Sequence, residues 1–210
     1  MNQKNNKNLF GLDLCFEDLD NPVDLFKNWI KKAEETEIND PNAVALGTAD
    51  QKNQPSVRMV LLKGLSDRGF VFYTNFNSKK SSDLKINQQA SMCFHWKSLR
   101  RQVRVIGKVE QVSEKEADDY FNSRPYKNRV SAWASSQSMK LESRDVFLGK
   151  IKEFEKKYPD QNKVPRPPHW SGWRILPEEV EFWLDGEGRI HERLNYFNNS
   201  GRWEKEILYP

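Results

Sequence analysis

Apolar residues recur along this chain with two periods, one typical of helices and one typical of short strands. The helical period follows the pair Asn21-Pro22, a cap followed by a proline at the first helical position. Its apolar members are Val23, Phe26, Trp29, Ile30 and Ala33. This spacing predicts an amphipathic helix that ends near Glu37. Residues 1–20 show no period and begin with a polar Asn/Lys tract, so we expect a poorly ordered arm before a single domain over residues 21–210.

Short segments rich in β-branched and aromatic residues predict strands after this helix. They lie at residues 43–48, 56–63, 70–75, 90–96 and 102–112. Later candidates lie at residues 173–176, 180–184 and 189–196, with a last strand at the C-terminus. Turn signals separate several of these segments. Connections this short favour antiparallel neighbours, because a parallel crossover needs a dozen or more residues.

Helical patterns interrupt the strands at three places. A short helix is expected over residues 78–87, and a capping box of Ser113 and Glu116 predicts another that stops before Pro125. An apolar stripe over residues 146–158 indicates a third helix. Strands and helices do not alternate as in a Rossmann-type sheet, and no G-x-G-x-x-G follows a strand. The pattern predicts a mainly β, α+β fold: an antiparallel, closed or partly closed barrel with flanking helices.

Composition narrows the class of protein. Hydrophobic residues make up 37% of 210, too many for a disordered chain and too few for a membrane protein. No apolar run approaches the ~18 residues of a spanning helix, and the N-terminus does not resemble a secretory signal. Cys15 and Cys93 form neither a metal-binding spacing nor a disulfide framework. We therefore expect no metal site and a reducing, cytoplasmic location.

The charge balance, 34 basic against 30 acidic residues, excludes little, so the position of the cations matters more. Arg58 and Lys63 bracket an apolar run in a predicted strand. They could be strand-end charges that reach water, or they could capture anions at the two ends of a planar ligand. Lys79 and Lys80 open a predicted helix, where cations oppose the helix dipole unless an anion neutralises them; an ordinary solvated pair is the alternative.

Two further clusters carry candidate chemistry. Tyr120 and Arg124 are four residues apart at a helix end and share a face, so they could grip a phosphate, although arginine near a helix C-terminus is favourable on its own. Strand alternation places Arg189, His191 and Arg193 on one face, which favours contact with an anion or an electron-rich ring. These clusters suggest two small phosphate sites rather than a nucleic-acid surface, and side chains suited to holding a reactive cofactor.

Seven motifs in sequence resemble those of the pyridoxine/pyridoxamine 5′-phosphate oxidase family, from about residue 21 to residue 210. They are R-M-V-L-L-K (58–63), F-Y-T-N (72–75), R-Q-V-R-V-I-G (101–107), Y-F-x-S-R-P (120–125), A-W-x-S-x-Q-S (132–138), E-F-W (181–183) and R-I-H-E-R (189–193). Each motif is weak alone, and seven in order are a strong signal. The resemblance implies an FMN-binding split barrel that forms a homodimer with FMN at the subunit interface.

The resemblance also implies the site residues. FMN would be held by Arg58, Met59, Val60, Leu61, Leu62, Lys63, Tyr73, Thr74, Lys79, Lys80, Gln102, Gln137, Ser138, Trp183 and Arg193. The substrate would be held by Lys63, Tyr120, Arg124, Asn128, Arg189, Ile190 and His191. The first four of these would grip its phosphate, while Arg189 and His191 form the catalytic pair over its pyridine ring.

The implied reaction converts pyridoxamine or pyridoxine 5′-phosphate to pyridoxal 5′-phosphate. A hydride passes from C4′ of the substrate to flavin N5, and dioxygen reoxidises the flavin with release of hydrogen peroxide. Arg189 would orient the substrate and stabilise developing charge, and His191 would position it or manage a proton.

This chain departs from the family pattern at four places. Lys79 stands where arginine is common and lacks its bidentate fork, Asn128 replaces a common serine, and Glu192 replaces aspartate. Residues 1–20 lack the Arg-x-x-Tyr pattern that folds over the substrate in some members. The altered arm favours one alternative, a related split-barrel oxidase acting on another ring, such as a phenazine-pathway oxidase. A nucleic-acid-binding barrel is the non-enzymatic alternative.

Overall fold

The structure is a computed structural model that describes residues 7–210. Within this range the α-helices are α1 (Pro22–Thr36), α2 (Lys79–Ile86), α3 (Glu114–Ser123), α4 (Tyr126–Ala134) and α5 (Arg144–Lys157). The strands are β1 (Ala43–Ala49), β2 (Pro55–Leu61), β3 (Gly64–Ser66), β4 (Gly69–Asn75), β5 (Gln89–Trp96), β6 (Arg101–Gln111), β7 (Trp170–Leu184), β8 (Glu192–Asn199) and β9 (Arg202–Ile207). None of these helices is long and apolar enough to cross a membrane.

The strands form one antiparallel sheet, which confirms the predicted fold class. Their order is β2-β1-β5-β6-β7-β4-β3, with β8 added to β7 and β9 to β8. β7 replaces the two strands predicted over residues 173–184. β7 continues without a break through Pro177, although proline has no N–H to donate to a neighbouring strand. Pro177 pairs with Gly107 at the point where the β6–β7 register shifts, so the missing N–H falls at an irregularity of the ladder. A Cβ at Gly107 would lie 1.9 Å from the Leu176 carbonyl oxygen, so only glycine permits this approach.

A core of aromatic residues fills the curled sheet, and α1 closes it. The Asn21 side chain caps α1 by accepting from the Val23 N–H, as the sequence predicts. Phe26 on the buried face of α1 meets the rings of Phe70 and Phe94 edge-on, at centroid distances of 4.9 and 4.8 Å. Edge-to-face pairs of this kind stabilise the core beyond the area that they bury.

Residues 7–20, predicted as a poorly ordered arm, pack against the core in the structure, while residues 1–6 lie outside the described part of the chain. Phe16 is fully buried and packs edge-on against Trp29 at 5.4 Å. The Trp29 indole N–H donates to the Cys15 carbonyl at 2.8 Å, and the Tyr196 hydroxyl donates to the Leu19 carbonyl at 2.9 Å. These contacts hold an irregular segment through its backbone carbonyls, so no periodic pattern marks it in the sequence.

The prediction of one strand over residues 189–196 is also wrong. Residues Glu187–Arg189 form a 3-10 turn, and β8 begins only at Glu192. Gly188 and Arg189 adopt positive φ values of 63° and 64°, a left-handed conformation that interrupts an extended strand. Arg189, His191 and Arg193 therefore do not share one strand face.

Candidate functional site

A cavity of about 840 Å³ opens between β2, β4, α2, α3, α4 and the start of β7. The predicted FMN residues that line it are Arg58, Met59, Val60, Leu61, Lys63, Tyr73, Thr74, Lys79, Lys80, Gln137 and Ser138. All four residues of the predicted phosphate grip line it as well: Lys63, Tyr120, Arg124 and Asn128. The fold thus brings two groups of residues that are distant in sequence around one space.

A buried lysine marks one end of this cavity. Lys80 is 8% exposed, and its ammonium lies 3.0–3.3 Å from oxygens of Thr74, Ser78 and Gln137, all of them neutral. No carboxylate of the described residues pairs with it. Burial and the nearby Arg58 lower the pKa of Lys80 to about 8. A buried cation surrounded by neutral oxygens is suited to an anionic ligand.

Arg58 lies beside this lysine in a frame of hydrogen bonds. Its guanidinium donates to the hydroxyls of Thr48 and Ser56, both at 2.7 Å, and lies 4.0 Å from the buried Asp83. Burial lowers the pKa of Arg58. Asp83 also accepts from Lys79 at 2.9 Å. Lys79 also lies 3.8 Å from the Asp50 carboxylate. Three cations, Arg58, Lys79 and Lys80, thus share two carboxylates, so the region keeps a surplus of positive charge.

An arginine stacked on aromatic rings marks the other end. The Arg124 guanidinium lies 4.7 Å from the Trp170 ring centroid, and burial lowers the pKa of Arg124. Its Nη1 is buried and makes no hydrogen bond to any residue within 7–210. The Tyr120 ring beside it stacks on Tyr73 at 4.1 Å, and Tyr73 stacks on Trp170 at 5.3 Å. An orphaned buried donor is rare in proteins, and a phosphate oxygen would satisfy it.

The remaining predicted site residues do not line this cavity. Leu62 is buried in the core instead. The other six gather near the far end of β7 and are called the β7-end cluster: Gln102, Trp183, Arg189, Ile190, His191 and Arg193. Gln102 and Arg193 are the register partners of Trp183 on the two neighbouring strands, and the His191 ring lies 4.6 Å from the Trp183 ring.

Polar contacts hold His191 and Arg193, two of the three titratable members of the β7-end cluster, in place. His191 Nδ1 lies 3.2 Å from the Gly186 N–H and 3.2 Å from the Asp185 carboxylate. Arg193 donates to Glu181 at 2.8 Å, and this hydrogen bond raises the pKa of Arg193. Ile190, by contrast, is 72% exposed, and Arg189 is exposed beside it. The outer part of the cluster therefore points away from the core of this chain.

The cavity and the β7-end cluster lie at opposite ends of the longest strand. Trp170 begins β7 and lines the cavity, whereas Trp183 is the second-last residue of the same strand. Thirteen residues of extended chain span roughly 40 Å at ~3.3 Å per residue. Within one chain, these two groups are too far apart to hold the same small molecule.

Two residues of this region were missed by the sequence analysis. Trp170 lies under Arg124, but 46 positions separate them in sequence and no spacing connects them. Asp185 contacts His191 through the turn that replaces the predicted strand. The only sequence feature that pointed to Trp170 was its position just before a predicted strand. No sequence feature pointed to Asp185.

The residues around the cavity fit FMN. Lys80 and Arg58 are cations suited to its phosphate. On the adjacent edge strand β2, Val57 and Met59 are 68% and 64% exposed, which leaves an apolar surface beside the cations. A flat ring laid on these side chains would cover area that is otherwise exposed to water.

Comparisons with known proteins agree with this geometry. A family model described as pyridoxamine 5′-phosphate oxidase matches residues 30–158, and one described as pyridoxine 5′-phosphate oxidase C-terminal dimerisation region matches residues 170–210. The pyridoxine/pyridoxamine 5′-phosphate oxidase of Pelagibacter ubique is 57% identical over 98% of this chain and 100% of its own length. The protein of that name from Sinorhizobium fredii is 52% identical over 93% of this chain and 95% of its own length.

Two solved structures share the fold. PhzG from Burkholderia lata, solved with tetrahydrophenazine-1-carboxylic acid, has a TM-score of 0.88 at 28% identity and covers 94% of this chain and 96% of its own. A pyridoxamine 5′-phosphate oxidase-related FMN-binding protein from Nostoc punctiforme has a TM-score of 0.71 at 18% identity, covers 88% of this chain and 97% of its own, and supports the fold alone. The family models and the long, highly identical relatives decide the assignment: this chain belongs to the pyridoxine/pyridoxamine 5′-phosphate oxidase family.

Proposed function

We propose that this protein is an FMN-dependent oxidase that converts pyridoxamine 5′-phosphate and pyridoxine 5′-phosphate to pyridoxal 5′-phosphate. One observation carries the proposal: the same cavity has a buried lysine, Lys80, and a half-buried arginine, Arg124, and neither pairs with a carboxylate of the described residues. Each is suited to one phosphate monoester, Lys80 to that of the cofactor and Arg124 to that of the substrate. Bound FMN supplies the hydride acceptor and, with dioxygen, the route to hydrogen peroxide.

The side chains of the cavity bind and orient. Arg58, Lys79 and Lys80 hold the cofactor phosphate, and β2 supports its ring. Lys63, Tyr120, Arg124 and Asn128 hold the phosphate of the substrate. This fixes the pyridine ring relative to the cofactor, and such orientation lowers the barrier without any strong general base on the protein.

The β7-end cluster completes the site from a second subunit. A single chain separates this cluster from the cavity along the length of β7, so the two can meet only across a homodimer interface. The cluster lies in residues 170–210, the part matched by the dimerisation-region model, apart from Gln102 on the neighbouring strand. Arg189 of one subunit then orients the substrate and stabilises charge in the cavity of the other, while His191 positions it or holds a proton.

The proposed address is the cytoplasm. Cys15 and Cys93 are both free and partly buried, which suits a reducing compartment. Burial, the largest cause, raises the pKa of Cys15 to about 12, so this thiol stays protonated and unreactive.

Spectroscopy and turnover test the proposal directly. The purified protein should be yellow, and pyridoxamine 5′-phosphate added without oxygen should bleach the flavin band. Admission of oxygen should restore the band and release one hydrogen peroxide per aldehyde formed. Turnover of unphosphorylated phenazine-type rings alone would contradict the proposal and favour the related oxidase. Salt-dependent binding of single-stranded nucleic acid by colourless protein would contradict it as well.

Mixed dimers test the composite site. At an FMN concentration that saturates only the native cavity, Lys80→Met disables the cavity and Arg189→Ala disables the cluster, so each homodimer should be nearly inactive. When the two variants are unfolded and refolded together, half of the dimers are mixed, and each mixed dimer holds one site with both native halves. Activity should recover to about a quarter of that of the native protein. No recovery, with mixed dimers verified by mass spectrometry, would show that both halves act within one chain.

A further inference from the structure

A mostly buried arginine outside the cavity connects α3, which carries part of the proposed phosphate grip, to the start of β7. Arg166 lies in the loop before β7, and its side chain is 11% exposed. Its Nε donates to Asp118 at 2.6 Å, its Nη2 pairs with Glu114, and its Nη1 donates to the Trp170 carbonyl at 2.7 Å. All three guanidinium nitrogens are engaged, and the hydrogen bonds to the two carboxylates raise the pKa of Arg166 against the opposing effect of burial.

The partners of Arg166 lie on α3 and at the start of β7, close to the residues of the phosphate grip. Glu114 and Asp118 are four residues apart and lie on one face of α3. Tyr120 lies on the same helix and Arg124 is its C-terminal cap. The third partner is the backbone of Trp170, whose ring lies under the Arg124 guanidinium. Arg166 therefore joins the helix that carries the grip to the residue on which Arg124 rests.

We propose that Arg166 is a positioning residue for the substrate phosphate, an inference that rests on the proposed function. A planar guanidinium can bridge two carboxylates and a carbonyl at fixed angles, whereas the single ammonium of a lysine cannot. With this bridge, α3 keeps one orientation relative to Trp170. A helix of ten residues is about 15 Å long, so a small tilt at Glu114 displaces Arg124 at the other end. Hydrogen bonds weaken steeply as their distance and angle depart from the optimum, so this displacement would weaken the grip on the substrate phosphate.

Other contacts keep α3 folded when Arg166 is replaced. Ala117 and Phe121 are fully buried under the helix, and the buried Arg174 donates to Glu116 at 2.6 Å. Loss of Arg166 should therefore change the orientation of α3 more than its stability. The effect should fall on substrate binding and spare the FMN phosphate, which is assigned to α2 and β2.

The test uses the FMN-loaded dimer with Arg166→Met, which removes the hydrogen bonds and keeps a similar side-chain length. The KM for pyridoxamine 5′-phosphate should rise at least 10-fold, with kcat changed less than 3-fold and the FMN dissociation constant less than 2-fold. Inhibition by pyridoxal 5′-phosphate and by pyridoxal is compared in the same variant. Arg166→Met should raise the inhibition constant of pyridoxal 5′-phosphate and change that of pyridoxal less than 2-fold. A general loss of stability would not produce this difference.

Three further variants sharpen this experiment. Arg166→Lys should restore part of the substrate affinity that Arg166→Met loses. Asp118→Asn removes one of the two negative charges that pair with Arg166 on α3, and it should raise KM as well, even if Arg166→Met does not fold. The control is Lys115→Met, which removes an exposed cation that pairs with Asp119 on the same helix and should leave KM unchanged. Equal weakening of both inhibitors, an equal loss of FMN affinity, or an unchanged KM in Arg166→Met and Asp118→Asn would overturn the proposal. A native protein that turns over no B6 phosphate would refute the proposed function instead.

Discussion

Replacing Lys80 by methionine should have opposite effects on the FMN-free fold and on FMN binding. The ammonium of Lys80 is buried beside Arg58, and its hydrogen-bond partners among the described residues are all neutral oxygens. A pKa of about 8 in place of the ordinary 10.5 corresponds to roughly 3 kcal/mol at 1.36 kcal/mol per unit. Partial solvation through the open cavity reduces this to the order of 2 kcal/mol. Lys80→Met should therefore stabilise the FMN-free protein, in spite of three lost hydrogen bonds.

The pH dependence of the free energy of unfolding should show that the buried Lys80 charge destabilises the FMN-free protein. A lysine with a depressed pKa releases its proton in the folded state before it does so in the unfolded chain. The contribution of Lys80 to the free energy of unfolding therefore rises as pH increases from about 8 to 10.5, and below pH 8 the buried charge destabilises the fold in full. Urea unfolding of FMN-free protein at pH 7.5 and pH 9.5 should show this rise in the native protein, and Lys80→Met should lack it.

FMN binding should change in the other direction. A charge-assisted hydrogen bond to phosphate contributes about 1.5–3 kcal/mol, so Lys80→Met should weaken FMN binding about 10- to 100-fold. Quenching of flavin fluorescence on titration measures this dissociation constant. Lys85→Met, an exposed lysine on the same helix, is the matched control and should change neither quantity. A Lys80→Met protein that is less stable at both pH values and binds FMN normally would refute this account of the cavity.

Two other predictions follow from the contacts described above. Arg124→Ala removes the orphaned Nη1 and the cation on Trp170, so the KM for the phosphorylated substrate should rise about 10-fold or more while FMN stays bound; equal loss of both in equilibrium titrations would contradict two separate phosphate sites. Phe16→Ala removes a fully buried ring packed on Trp29 and should lower the free energy of unfolding by about 3–5 kcal/mol. An effect below about 0.5 kcal/mol in urea titrations would show instead that residues 7–20 are a free arm.

Much of the fold could be predicted because the signals are local. The cap at Asn21, the capping box at Ser113 and the periodic apolar stripes each act within one or two turns of helix, and the structure contains all of these helices. The short α4 was not predicted, since it follows Pro125 with little apolar periodicity. Residues 7–20 escaped prediction for a similar reason: their buried side chains occur at irregular positions in a loop.

The candidate site divides in the same way. The residue types and their motifs, with cations at positions 58, 63, 79, 80 and 124, were visible in the sequence and indicated two phosphate sites. The sequence also determined the antiparallel class of the sheet, since its connections are too short for parallel crossovers.

Only the tertiary structure decided which residues meet. Lys80 and Arg124 line one cavity although 44 positions separate them, and Trp170 reaches Arg124 because β7 passes beside α3. His191 and Arg193 lie near the far end of β7, away from that cavity, and the proposed site therefore draws them from a second subunit. Proximity of this kind depends on strand pairing and on the length of β7, which are long-range properties that no local spacing encodes.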